Sequence, residues 1–358
     1  SSDLEIESLR RQSLEGPGRA ALPDVEVYWK AVHDALKYHE FYRTNELATA
    51  RSLIVRGRER AAALRAGSVP WGGVTGPVVR GYVSRIDGST QPYGLLIPAS
   101  YRPGGAMRLD IWMHGRGETL TELNFIAGCE KGASEFKPEN AIVLLLYGRY
   151  CNANKFAGEM DLFEALEDVE RRYAIDTNRI VVRGFSMGGA ACWHFAAHHA
   201  GRWAAANPGA GFTDTATYLK IDPASNPPTW YERRLWHLYD PVDYAANLFH
   251  CPVIAYSGEL DSQKLAADLM ATAMRKESLE LTHIIGPKTG HKYEPEAKQT
   301  VIRKIDELAA RGRNPVPGRV RFTTWTLRYN SMLWVTVDRK STRLNSSHVA
   351  LSRMPSSA

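Results

Sequence analysis

The chain has 358 residues, 44% of them hydrophobic and 23% charged, with 29 Gly and 19 Pro. This is ordinary globular composition, which excludes disorder, collagen and coiled coil. The formal net charge of +6 is no sign of nucleic-acid binding, because Arg339, Lys340, Arg343 and Arg353 against Asp338 supply half of it and the rest shows no basic stripe.

A chain of this length buries a full core and suits one large domain with something smaller. The longest apolar run, 141–147, is far too short to span a bilayer, so no membrane partner is expected. No charged-then-apolar leader opens the chain, which starts at Ser1 as if truncated. Localisation therefore stays open, and export is compatible with a missing leader.

Residues 1–70 read as a helical segment, with helical patterning over 25–42 and 45–66. Ser68-Val69-Pro70-Trp71-Gly72-Gly73 breaks the pattern and sets a boundary. Strands 78–84 and 91–98 flank Ile86-Asp87-Gly88-Ser89 as a hairpin. Strands 109–113 and 141–147 follow, then a helix 161–173 opened by Asp161 as N-cap. A strand over 179–183, a helix over 188–199 and a strand over 203–207 come next. Residues 208–250 form an irregular insertion where a lid or pocket wall would sit. Strand 252–256, helix 262–276, strand 279–285 and helix 296–311 complete the alternation. The expectation for 71–313 is an α/β fold, a mostly parallel twisted sheet with helices on both faces. After linker 314–318, residues 319–337 alternate as two strands, so 314–337 reads as the start of a truncated β module. Residues 338–358, opening DRKSTRLNSSH, read as a translated sequencing adapter rather than native protein.

Gly184-Phe185-Ser186-Met187-Gly188-Gly189 matches G-x-S-x-G, directly after the apolar Ile180-Val181-Val182 and before an Ala-rich helix. Strand, turn and helix are the setting of a nucleophile elbow, and its tightness leaves no room for Cβ atoms beside the serine. A serine hydroxyl needs a base, and the base an orienting acid, here in the order Ser, acid, His. Asp261, in Ser257-Gly258-Glu259-Leu260-Asp261, and His291, closing Gly286-Pro287-Lys288-Thr289-Gly290-His291, each lie just past a strand end. Glu259 and Asp243 are the alternative acids. His194, His198 and His199 sit on the helix after the elbow, His283 lies inside a strand, and His33, His39, His237 and His250 lack the strand-end setting.

Two amides should hold the oxyanion: that of Met187, after the nucleophile, and that of Arg116 in His114-Gly115-Arg116-Gly117. His114 is expected to shape that turn. Arg149, Asn152 and Glu159, past strand 141–147, are candidates for the substrate-binding rim. Cys129, Cys151, Cys192 and Cys251 show no zinc spacing, so no metal site is expected, and a Cys129–Cys151 bridge stays open. No cofactor motif is present.

HGRGETLTELNF, YGRYCNANKFAGEMD, GFSMGGAACWHF, NPGAGF and YSGELD together resemble the prolyl oligopeptidase-type branch of the α/β-hydrolases, over about residues 70–313. The likeness is to its compact members, peptidases or esterases of environmental bacteria. The resemblance implies an α/β-hydrolase fold, the acid at Asp261 of G-x-x-D and the base at His291. Oligopeptidases cap this domain with a β-propeller, which a 70-residue helical segment cannot form. The resulting expectation is a serine hydrolase that cleaves a carboxylic ester or peptide bond in a small-molecule ester or peptide substrate, with ester favoured. The alternatives are an oligopeptidase-type serine peptidase, a carbohydrate-linked esterase, and a non-catalytic binding module on a hydrolase fold.

Overall fold

The computed structural model describes residues 2–11, 16–222 and 224–338. The chain divides into two compact units, Ser1–Asp176 and Thr177–Ala358.

The first unit opens with α1 (Ser2–Arg11), α2 (Gly16–Ala21), α3 (Pro23–Lys37) and α4 (Glu46–Arg65). Pro23 starts α3, where a missing N–H breaks no bond, and Asp24 and Glu26 sit at the positive end of its dipole. The apolar face of α3, Val27, Tyr28, Ala31, Val32 and Ala35, packs with Ala50 and Leu53 of α4. Asp24 is fully buried and ties this helix to the sheet. Its Oδ2 accepts from Trp71 Nε1 at 2.8 Å, Arg80 Nη1 at 2.8 Å and Arg172 Nη1 at 3.1 Å, and its Oδ1 from the Gly81 amide at 3.0 Å.

The expected hairpin is present as β1 (Gly76–Val83) and β2 (Thr90–Ile97), with Val83 opposite Thr90. β3 (Met107–Met113) is followed by α5 (Glu122–Glu130), which the patterning did not announce, and by β4 (Ala141–Leu146). β2 pairs antiparallel with β4, and β4 parallel with β3. All six residues of β4 are buried, as in a strand covered on both faces. α6 (Ala157–Arg172) begins four residues before the expected start, so Asp161 is inside the helix and is not its N-cap. The Asp161 carboxylate instead accepts from the Gly148 amide at 3.0 Å and from the Tyr82 hydroxyl.

β5 (Ile175–Phe185), in the second unit from Thr177 on, leads into α7 (Met187–His198) and β6 (Ala205–Gly209). The 208–250 insertion carries α8 (Thr215–Tyr218), α9 (Trp230–Trp236) and a 3-10 stretch, Pro241–Phe249. β7 (Ile254–Gly258), α10 (Leu265–Lys276), β8 (Thr282–Gly286) and α11 (Pro295–Arg311) follow. β5, β6, β7 and β8 are parallel in that order. Ala297, Val301, Ile305 and Ala309 repeat every four residues on α11 and pack on Val181, Ala205, Ile254 and Tyr256. With strands parallel except where β2 pairs, and helices following the strands, the fold is that of the α/β-hydrolases.

Residues 319–337 do not form the expected pair of long strands. They contain β9 (Ser331–Met332) and β10 (Val335–Thr336), two residues each, after a 3-10 turn, Leu327–Tyr329. The physical reason is that a side chain takes the backbone bonds a partner strand would make. Asn247 Nδ2 donates to Thr323 O at 3.0 Å and its Oδ1 accepts from Thr323 N at 2.7 Å. Tyr329 is then buried, its ring 4.3 Å from that of His198 on α7. Residues 339–358, nearly all of the adapter-like stretch, lie outside the described residues.

Candidate active site

Ser186 stands between β5 and α7 with φ 60° and ψ −119°, a conformation few L-residues adopt. Its amide donates to Gly209 O at 2.8 Å and its carbonyl accepts from Ala190 N at 3.0 Å. A Cβ on Gly184 would lie 2.1 Å from Gly188 O, and one on Gly189 2.1 Å from Gly209 O. Gly184 and Gly189 are therefore required sterically. Met187 opens the 12-residue α7, so its amide is among the helix N–H groups that have no intrahelical acceptor.

Asp261 and His291 come from the loops after β7 and β8. Asp261 Oδ2 lies 2.7 Å from His291 Nδ1. The Asp261 side chain is 3% exposed and that of His291 42%, a buried acid behind an accessible ring. With Nδ1 facing the carboxylate, Nε2 is the ring nitrogen turned away from it. Backbone bonds from Glu259 N to Gly286 O and from Leu260 N to Thr289 O, both 2.9 Å, hold the two loops together. The His291 ring centroid is 4.8 Å from that of Phe185, the residue before Ser186. Glu259, the nearest alternative acid, has its Oε2 engaged by the Lys288 amide at 2.7 Å. Asp243, the other alternative, pairs with His237 at 2.6 Å, and the face of that imidazole is covered by Trp325 at 4.3 Å. His283 Nε2 lies 3.1 Å from Ser257 Oγ, and burial lowers its pKa.

The other sequence-derived candidates belong to the first unit. The exposed side chain of Arg116 pairs with Glu118. His114 approaches Gly115 O at 2.7 Å and Tyr147 O at 2.9 Å, so it braces its turn against the end of β4. Cys151 accepts from the Gly117 amide at 3.4 Å, and all four cysteines are free, which removes the Cys129–Cys151 bridge. Arg149 Nη1 donates to Asp87 at 2.9 Å and its Nε lies 3.8 Å from Asp161 Oδ1, while among the described residues its buried Nε and Nη2 and the buried Oδ1 of Asn152 have no hydrogen-bond partner. Glu159 is buried in the first turn of α6. Positive φ at Arg149, Tyr150, Ala153, Asn154 and Phe156 marks the segment between β4 and α6 as strained, a feature no composition signal announces. Phe185 and Gln263, which touch His291 and Asp261, were not singled out from the sequence. Their residue types carry no chemistry-bearing signal.

Among the described residues no group of His, Cys, Asp and Glu is placed to hold a metal ion. No described helix is long and apolar enough to cross a membrane.

Residues 152–311 match the model of the prolyl oligopeptidase family. Among solved structures, a putative dipeptidyl aminopeptidase IV from Bacteroides ovatus is 16% identical with a TM-score of 0.50, the match covering 68% of this chain and 37% of that one. The Pyrococcus horikoshii acylaminoacyl peptidase is 13% identical with a TM-score of 0.50, covering 69% of this chain and 43% of that one. The S-formylglutathione hydrolase of Staphylococcus aureus is 14% identical with a TM-score of 0.48, covering 66% of this chain and 100% of that one. The match thus spans less than half the length of the two peptidases. Comparison with curated proteins gives no match. The fold is that of the α/β-hydrolases, and over residues 152–311 the chain is similar to the prolyl oligopeptidase family. The matched segment holds Ser186, Asp261 and His291.

Proposed function

We propose that the protein hydrolyses a carboxylic ester through an acyl-enzyme, with Ser186 as nucleophile, His291 as general base and then acid, and Asp261 as the group that orients His291. The observation that carries this reading is the 2.7 Å contact from Asp261 Oδ2 to His291 Nδ1, on a ring that packs against the residue preceding a strained serine. In the first half-reaction Ser186 Oγ attacks the carbonyl carbon and His291 Nε2 takes the hydroxyl proton. The alkoxide then leaves with that proton as the acyl-enzyme forms. Water, deprotonated by the same nitrogen, releases the acid and restores Ser186. The Met187 amide, at the positive end of α7, donates to the oxyanion; such a donor is worth about 3–4 kcal/mol. Arg116 as the second donor, and Arg149, Asn152 and Glu159 as substrate-binding residues, are proposed from sequence order.

An ester is the favoured substrate and a peptide the alternative. Rates on p-nitrophenyl esters of increasing acyl length, set beside proline-containing peptide anilides, test the preference. Faster turnover of the anilides would make the protein a peptidase.

A further inference from the structure

Gln263 ties the acid loop to the turn that carries the nucleophile. Its backbone amide donates to Asp261 Oδ1 at 2.9 Å, on the carboxylate whose other oxygen meets His291. Its side-chain Oε1 accepts from the Gly211 amide at 3.0 Å. Gly211 has φ 94°, and a Cβ there would lie 2.5 Å from Ala190 N and 3.0 Å from Ser186 O, so this backbone sits directly against the elbow. Two residues earlier, Gly209 O receives the Ser186 amide, and Ala210 N donates to Tyr256 O at 2.8 Å.

We infer that Gln263 is a positioning residue that sets the spacing between Ser186 and the Asp261–His291 pair, an inference that rests on the catalytic reading above. The side chain spans from a residue two positions past the acid to a backbone on which an added Cβ would lie 3.0 Å from the nucleophile's carbonyl oxygen. Loss of this bond frees Gly211, and with it the 209–211 turn that grips Ser186. Small errors in such spacing cost rate steeply while leaving substrate binding largely alone.

Two variants separate this role from bulk stability. Gln263→Met keeps length and volume and removes the acceptor. Gln263→Glu keeps the acceptor and adds a negative charge near His291, which favours the imidazolium and moves the acid limb of the kcat/KM profile to higher pH. For Gln263→Met the expectation is a fall in kcat of about tenfold, the equivalent of one lost hydrogen bond, with KM within about twofold. Labelling of Ser186 by a fluorophosphonate should slow in parallel. Gln263→Glu should recover most of kcat above its shifted limb. Wild-type rates from Gln263→Met at all pH values, with the Ser186→Ala variant unlabelled, would overturn the clamp and leave the catalytic reading intact. Continued labelling of Ser186→Ala would overturn the catalytic reading itself.

Discussion

In the first unit charge goes inside. Asp24 is buried with Arg80 and meets Arg172, and Arg108 with Asp110 form a second buried pair at 2.6 Å. In the second unit backbone meets backbone: Ala190, Ala191, Ala196 and Ala197 of α7 are buried, as are Ala205 and Ala206 of β6, and the glycines of the elbow touch carbonyls. The two devices do different work. A buried ion pair adds little net stability, yet removing one partner strands the other charge, so it admits one seating of the N-terminal helices and excludes others. Small-residue contact has no such specificity, but it brings α7 close enough to β6 for Ser186 to be held on a tight, strained turn.

The comparison is broken most severely at the elbow. Ser186→Ala should abolish fluorophosphonate labelling with the fold retained, and a labelled variant would place the nucleophile elsewhere. Ser186→Gly should be equally inactive yet more stable than Ser186→Ala by about 1 kcal/mol, because glycine accepts φ 60° without strain. Equal melting temperatures would mean that the turn stores no strain. Next in size, Asp261→Asn should lower kcat by about four decades by holding the wrong tautomer of His291. Glu259→Gln, whose carboxylate meets only the Lys288 amide among its described partners, should stay within about tenfold of wild type. A larger loss from Glu259 than from Asp261 would exchange their roles.

How legible each region was in the sequence follows from the distance over which it is built. The elbow is made by residues within five positions of one another, so G-x-S-x-G after an apolar strand carries it. Asp261 and His291 were legible as residues just past strand ends, in a fold whose loops at that end carry chemistry. The anchor of the first unit was not, because Arg80 and Arg172 lie 56 and 148 positions from Asp24. Helix α5 escaped because its sequence, ELNFIAGCE, mixes Gly and Cys into a weak apolar period. The alternation of 319–337 misled for a third reason, since Asn247 satisfies Thr323 where pairing was expected.

Stability should report the anchor in the first unit directly. Asp24→Asn leaves Arg80 buried without its counter-charge and should destabilise by about 3–5 kcal/mol, read as a lowered urea midpoint. An unchanged midpoint would mean that the arginines are neutralised elsewhere. Within the second unit, Tyr329→Ala should cost about 3 kcal/mol, because the ring is buried against His198 and His194. A neutral result would show that 319–337 rests on the unit without stabilising it.

The smallest expected effect is one of pH, and it again sets charge burial apart from backbone contact. Burial raises the pKa of Asp161 to about 6 from an ordinary 3.8, even though Tyr82, Arg149 and the Gly148 amide all favour its ionised form. Between those two values the folded chain holds a proton that the unfolded chain has released. The contribution of Asp161 to stability is therefore fully present below about pH 4, declines as pH rises to about 6, and is flat above. Asp87 has the opposite sign. Hydrogen bonds from Ser89 and Arg149 hold its carboxyl well below the usual range, so its contribution is present at neutral pH and is lost only on strong acidification. Melting curves of wild type and Asp161→Asn between pH 4 and 7 isolate the Asp161 contribution, because every other carboxylate is common to both. The wild type should lose a few degrees relative to the variant across that window. Parallel curves would mean that the three partners of Asp161 outweigh its burial and keep it ionised throughout.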